Sequence, residues 1–129
     1  MTATDKSQAQ RLLACGVDPY KADMTLSHHK NGFYELMATP FHYGCFDEKD
    51  LPAWSLGTLL TEVLPKIITR HGFDYSLSMR VPPNWHEWEG WVVGYLDREC
   101  DAYYHMTKAP DPIEACVRMV EKLKEEGMV

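Results

Sequence analysis

Alternation of apolar and polar side chains predicts a three-stranded antiparallel meander in the second half of the chain. In Tyr75–Val81 the odd-numbered residues are apolar and the even-numbered residues are polar, which is the pattern of a strand with one buried face. Both faces of Trp91–Leu96 are largely apolar, which predicts a strand at the centre of a sheet. Ala102–Met106 alternates again and completes the meander. Gly94 indicates a bulge or the close approach of a covering side chain.

A second strand pair is predicted upstream, at Met24–Lys30 and Phe33–Thr39. Asn31-Gly32 between them tolerates the positive φ angles of a two-residue type I′ turn. That turn places His28 opposite Glu35 on one face of the hairpin. A carboxylate beside an imidazole is the arrangement of a general base with its orienting group, but a polar pair near a sheet edge is most often structural. We therefore interpret this pair as structural.

Helical periodicity marks the two ends of the chain. The first helix is predicted from Asp5 to Cys15, with Thr4 as its N-cap and Gly16 as the left-handed residue that ends it. The last helix is predicted from the cap Asp111 to Gly127, with an apolar stripe on one face and acidic and basic residues on the other.

The middle of the chain is predicted to hold a surface loop followed by the second helix. Pro40–Pro52 loses periodicity and is rich in acidic residues, which is typical of a loop. Ser55 is the expected N-cap of the second helix, and Pro65 is expected to end or kink it. Ile67 and Ile68 are expected to add one further buried turn.

The element order α-β-β-α-β-β-β-α predicts a single α+β domain over residues 1–129. We expect a five-stranded, mainly antiparallel sheet, formed by the hairpin and the meander, with the second and last helices packed on one face. The opposite face of Trp91–Leu96 would then be left uncovered. A second copy of the chain is the simplest cover, so we expect a homodimer.

Charge and cysteine usage narrow the class of protein. The net charge of −6 argues against nucleic-acid binding through a broad basic face. No apolar run approaches the length of a membrane-spanning helix, and the polar first ten residues lack the apolar core of a signal peptide. The four cysteines contain no C-x-x-C pair. These features predict a cytoplasmic protein with reduced cysteines that does not bind membranes.

Three segments carry a resemblance. Leu12–Met24 (LLACGVDPYKADM), Pro52–Ile68 (PAWSLGTLLTEVLPKII) and Asp111–Gly127 (DPIEACVRMVEKLKEEG) resemble small uncharacterised proteins carried by phages and mobile elements of gut bacteria. The resemblance covers most of the chain and rests on helix caps and apolar stripes. It implies a bacterial or phage-related accessory protein of the cytoplasm and brings no activity with it.

Candidate metal and catalytic groups are sparse. His42 and Cys45 have ligand-like spacing but form only one such pair, whereas structural zinc usually takes two. The acidic stretches 47–50 and 97–101 lack the glycine-containing frame of a calcium loop. No nucleophile elbow, cysteine protease signature or phosphate-binding glycine motif is present. We therefore expect no cofactor, and the sequence favours a protein that is not an enzyme.

The tryptophans give the strongest indication of a binding surface. Trp85 and Trp88 fall in the nine residues that connect the first two meander strands, and exposed aromatic residues anchor many interfaces. We predict that Trp85, His86, Trp88 and Tyr103 contact a partner. The alternative is that this loop folds back and buries its tryptophans.

The sequence thus predicts a non-enzymatic protein-interaction protein whose partner is another protein. The alternative is a binding protein or enzyme for a small, nucleotide-like ligand, with a cleft between the 40–52 and 82–90 loops. A thermal-shift screen against nucleotides and divalent metals distinguishes them, because a bound ligand stabilises the folded state.

The homodimer is testable directly. Light scattering at micromolar concentration should report twice the mass of one chain, because the apolar sheet face would otherwise meet water. The mass of a single chain at that concentration would contradict the dimer.

Overall fold

Helices and antiparallel strands together make up the protein, as the α+β class requires. The computed structural model describes residues 2–81, 90–97, 99–100 and 102–128. The α-helices are α1 (Lys6–Ala14), α2 (Phe41–Gly44), α3 (Leu56–Thr58) and α4 (Pro112–Glu125), with a 3₁₀ turn at Pro19–Lys21 and a π turn at Leu59–Val63. The strands are β1 (Met24–His28), β2 (Tyr34–Met37), β3 (Leu51–Ala53), β4 (Ile67–Arg70), β5 (Phe73–Arg80), β6 (Trp91–Asp97) and β7 (Ala102–Ala109). No helix in these ranges is long and apolar enough to cross a membrane.

The strands form two antiparallel sheets, one of three strands in the order β2-β1-β3 and one of four in the order β4-β5-β6-β7. The prediction of one five-stranded sheet is therefore wrong. The hairpin pairs with the short β3, where Thr25 lies opposite Pro52, and not with the meander. The meander instead gains β4, where Ile68 lies opposite Tyr75.

The predicted meander is confirmed, with β6 at its centre. Val93 and Tyr95 are fully buried on the face that packs against α4. On the other face, a Cβ added to Gly94 would lie 2.5 Å from the ring of Tyr103. The register shifts between Tyr95 and Leu96. Gly94 thus permits a close approach, at a bulge, as its position in the strand predicts.

The hairpin between β1 and β2 has a different turn from the predicted one. His29 N–H donates to Phe33 O (2.9 Å) and Gly32 N–H to His29 O (2.9 Å), and Gly32 alone in this turn has positive φ (87°). The longer connection shifts the register, so His28 lies opposite Tyr34. The predicted His28–Glu35 pair is wrong, and His29 Nε2 contacts Glu35 Oε1 instead, at 3.0 Å.

Two segments were predicted with the wrong structure. The surface loop predicted at 40–52 contains α2, the start of β3 and the buried residues Phe41 and Asp50. The turn of helix predicted at Ile67 and Ile68 is strand β4, which returns to β5 through His71 and Gly72. Both turn residues have positive φ (54° and 81°), the pattern of a two-residue hairpin turn. Pro65 does end the preceding helical segment, as predicted.

The first helix begins one residue later than predicted. Asp5 caps it, not Thr4, because Asp5 and Gln8 form a reciprocal capping box. Thr4 is buried and joins the N-terminal segment to Trp54, donating its N–H to Trp54 O (3.0 Å) and accepting Trp54 N–H on Oγ1 (3.0 Å). The predicted helix end at Gly16 is confirmed, with φ of 84°.

The last helix, α4, lies between the four-stranded sheet and α1. Asp111 caps it, with Pro112 in its first turn, and Gly127 follows it with φ of 72°, as predicted. One side of α4 contacts β6 and β7, and another contacts α1. The segment of α3 and the π turn also contacts α4. The fully buried residues of α4, among them Val117, Met119 and Leu123, belong to one core cluster with residues of both sheets.

Arg11 links α1 to α4 through two carboxylates. Its guanidinium donates to Glu114 Oε1 at 2.8 Å and, through Nε, to Glu121 Oε2 at 3.2 Å. Gln8 Nε2 and Arg118 Nε also donate to Glu114, at 3.0 and 2.8 Å. Burial alone would raise the pKa of Glu114, but these donors outweigh it and lower the pKa to about 2.

This cluster should make stability depend on pH. A carboxyl group with a lowered pKa in the folded state stabilises the protein above its unfolded pKa, and that stabilisation is lost as pH falls from about 5 toward 2. Replacing Glu114 by Gln should therefore lower the free energy of unfolding by about 2 kcal/mol near pH 7, with a smaller deficit near pH 3. Urea titrations at both pH values measure it.

Glu125→Gln is the matched control, since Glu125 is exposed near the end of the same helix. It should leave the free energy of unfolding within about 0.5 kcal/mol of the wild type. A Glu114→Gln deficit of equal size at both pH values would contradict the role assigned to the ionised carboxylate.

Candidate functional site

The short helix α2 packs against β1, with Phe41 buried and with His42 and Tyr43 exposed. Phe41 N–H donates to Ala22 O (3.2 Å), and the Phe41 ring is buried. A Cβ on Gly44 would lie 2.6 Å from Thr25 Oγ1, so the backbone of α2 approaches the strand as closely as only glycine allows. The Thr25 hydroxyl donates to Thr39 O (2.7 Å).

Four exposed aromatic side chains lie on α2 or near it, and we call them the aromatic patch: Tyr20, His42, Tyr43 and Phe46. Tyr20 lies on the 3₁₀ turn that contacts α2, with its ring centroid 5.9 Å from that of Phe41. The rings of His42 and Tyr43 are 3.9 Å apart. Tyr20 is 64% exposed, Tyr43 70% and Phe46 91%. Several exposed aromatic side chains near one another are typical of interface anchors.

A buried carboxylate fixes the backbone that carries Phe46. Asp50 is 6% exposed and accepts N–H groups from His28 (2.7 Å), Phe46 (2.9 Å) and Asp47 (3.0 Å). Burial acts to raise the pKa of Asp50, but the three backbone donors outweigh it and lower the pKa. Phe46 is therefore an exposed ring on a fixed backbone, which reduces the entropy lost on binding.

The charged residues that neighbour the aromatic patch in sequence, which we call its rim, have a small negative excess. Asp18, Asp47 and Glu48 are exposed there, as are Lys21 and Lys49. The chain as a whole carries −6. A partner with a basic surface would be attracted by both the rim and the overall field.

One of the four residues predicted to bind a partner can be placed relative to this patch. Trp85, His86 and Trp88 lie outside the described residues. Tyr103 is described and lies on β7 of the other sheet, where its ring covers Gly94. The Arg80 guanidinium is 5.0 Å from the Tyr103 ring centroid, a cation–π contact within the chain. Tyr103 is thus half-buried and engaged by its own sheet.

The weak metal candidates do not form a centre. The His42 ring lies tilted against the Tyr43 ring, and Cys45 Sγ lies 3.7 Å from Asp47 O. In the part of the chain that the structure describes, no three His, Cys, Asp or Glu side chains are grouped to hold a metal ion. The acidic stretches instead cap backbone N–H groups, as Asp47 does for Lys49 (2.8 Å) and Asp97 for Glu99 (3.0 Å).

All four thiols have a raised pKa. Burial is the first cause for Cys15, Cys45 and Cys116, and it raises the pKa of Cys116 to about 12. For Cys100 the first cause is a hydrogen bond with Asp97. Because the thiolate is the nucleophile, these environments disfavour thiol catalysis at neutral pH.

Sequence reasoning missed the aromatic patch and the carboxylate behind it. One signal was present: Phe41, Tyr43 and Phe46 fall within six residues of a segment without strand periodicity. Nothing in that segment told which ring would be buried. The role of Asp50 had no signal, since its three donors come from β1 and from its own loop.

No protein family matches the chain, and no curated protein or solved structure is similar to it.

Removing the charge of Asp50 should loosen the loop beneath Phe46. In Asp50→Asn, an amide N–H₂ replaces one of the two acceptor oxygens, so at least one buried backbone N–H loses its partner. We expect the free energy of unfolding to fall by about 1–3 kcal/mol and the Phe46 amide to exchange faster with solvent. Denaturant titration and hydrogen exchange measure these effects.

Glu48→Gln, an exposed change in the same loop, is the control and should leave both quantities unchanged. Equal protection of the Phe46 amide in Asp50→Asn and the wild type would contradict the anchoring role.

Proposed function

We propose that the protein is a non-enzymatic interaction protein that binds a basic protein partner through the aromatic patch. The observation that carries this proposal is the exposure of Tyr43 and Phe46 on a backbone held by Gly44 and Asp50. Rigid, exposed aromatic side chains ringed by polar residues are typical of interface anchors. The acidic excess of the rim favours a partner with Lys and Arg around an apolar centre.

The small-ligand alternative has less support. A cleft between the end of α1, the π turn and α4, with Val17, Val63 and Val120 in its walls, has a volume of about 170 Å³, below the ~300 Å³ at which typical small-molecule sites begin. A larger cleft, of about 420 Å³, has Asp74, Asp97 and Glu99 in its lining, and their carboxylates would repel the phosphates of a nucleotide. The cleft predicted between the 40–52 and 82–90 loops has one wall outside the described residues.

The setting of this function is also a proposal. The resemblance to phage and mobile-element proteins supports an accessory role in a bacterial cytoplasm. In such a setting the partner would be a protein of the host or of the phage. A second copy of this chain is the other occupant to be tested.

The double change Tyr43→Ala/Phe46→Ala tests the patch. Partners captured from the native host are first identified, and their affinity is then measured with purified proteins. Loss of two anchor rings should weaken binding at least tenfold, and higher salt should weaken it further. The melting temperature should not fall, because both rings are exposed.

Phe73→Ala/Met106→Ala is the matched control, since both side chains are exposed (58% and 39%) on the other sheet. It should leave the affinity unchanged. Equal weakening by both double variants, or by neither, would contradict the proposed surface.

A further inference from the structure

Strand β4 is an open edge of the four-stranded sheet. Lys66 C=O accepts the N–H of Leu77 on β5 (2.9 Å). Successive residues of an antiparallel strand turn their backbone groups to opposite sides. Ile67 and Thr69 therefore direct their N–H and C=O groups away from β5, where an added strand could pair with them.

A groove runs along this edge, and we call it the β4 groove. Its walls are Pro65, Ile67, Thr69 and Arg70 on one side, with Gly127 and Met128 on the other, and its volume is about 290 Å³. The lining is mixed: Ile67, Ile68 and Met128 offer apolar surface to a side chain, and Thr69 and Arg70 offer polar groups. The β4 groove is short, because the chain turns back at His71 immediately after Arg70.

A donor without a partner lies at the Arg70 end of the β4 groove. Arg70 Nε is buried and has no hydrogen-bond partner among the described residues. His105, on β7, is not one of the walls of the groove, but its side chain is only 10% exposed and its buried Nε2 also makes no hydrogen bond within the described part of the chain. Glu126 Oε1 lies 4.0 Å from this nitrogen. A buried donor without a partner destabilises the folded state.

The charges around His105 are predominantly positive. Burial lowers the pKa of His105 first, and Lys122 of α4 and Arg70 of β4 lower it further, while Glu126 acts in the opposite direction. Among the described residues that act on His105, Glu126 is the one carboxylate, against the permanent cations Lys122 and Arg70. An anion at Arg70 would give its Nε a partner and offset the positive excess.

We propose that the β4 groove binds the free C-terminus of a partner polypeptide, whose last residues pair with Ile67 and Thr69 while the terminal carboxylate meets Arg70. The incoming strand runs parallel to β4, so that its carboxyl end reaches Arg70. A peptide can pair with the outward N–H and C=O groups of β4, whereas a free organic acid has no backbone with which to do so. The turn at His71 favours a chain end over a strand that passes through. This site lies on the other sheet from the aromatic patch and goes beyond the function proposed there.

Peptide pools test the proposal on the full chain. One pool holds N-acetylated hexapeptides with an apolar last residue and a free carboxylate, and the other holds the same sequences as C-terminal amides. NMR follows the backbone amides of Ile67 and Thr69 and the ring of His105. The acid pool should shift these signals saturably, and the amide pool should bind at least tenfold more weakly.

Two variants test the two halves of the site. Arg70→Gln removes the cation and should weaken the binding of the acid pool at least tenfold. Thr69→Pro removes one outward N–H and keeps the backbone pairing to β5, but it also loses the Thr69 hydroxyl bond to Asp74 on β5 (2.6 Å). Thr69→Val loses that hydroxyl bond alone, so only Thr69→Pro should weaken the binding of both pools. Lys124→Gln is the control, because Lys124 lies on α4 near Cys15 on the α1 side, and it should change nothing.

Several results would overturn the proposal. Equal binding of the acid and amide pools would show that the terminal carboxylate does not contribute to binding. Unchanged binding in Thr69→Pro would show that strand pairing does not contribute. Hexanoate or inorganic phosphate that shifts His105 as strongly as the acid pool would assign the site to a free anion. No shift with either pool would leave the β4 groove without this role. The patch variants measure a different surface, so either proposal can fail alone.

Discussion

The burial of α4 is the constraint on which the rest of the structure depends. This helix covers one face of the four-stranded sheet and at the same time gives α1 its partner. Both sheets therefore contribute to one buried cluster, although neither pairs with the other. Arg11, held between Glu114 and Glu121, sets the position of α1 along α4. Through α1, which also contacts β3, the helix pair positions the three-stranded sheet that carries the aromatic patch.

Features that depend on a few neighbouring residues were predictable from the sequence. Each of these signals lies within one turn or one strand: the caps of α4, the glycine that ends α1 and the alternation of β5. The role of Gly94 was predictable for the same reason, since an isolated glycine in an apolar strand indicates a close approach. These local signals gave the α+β class and most of the longer elements.

Features that depend on distant partners were not predictable. The three residues of β3 and the four of β4 are too short to show periodicity, so the number and composition of the sheets stayed hidden. In the hairpin, Asn31-Gly32 fits two turns, and the longer one shifts each opposed pair by one residue. Exposure of Phe46 follows from how Asp50 and Gly44 fix the chain, which composition does not reveal. The candidate site was therefore missed, although its aromatic residues are plain in the sequence.

The division into two sheets has a consequence for solubility. Two open sheets have four edge strands where one sheet would have two, and each free edge invites aggregation between copies. Pro52 gives the β3 edge a position with no N–H to share. On β7 the bulge and the Arg118 guanidinium, which donates to Lys108 O (2.6 Å), interrupt the edge. Strands β2 and β4 have neither proline nor bulge and rely on their shortness, so in concentrated solution chains would first adhere to one another at these two edges.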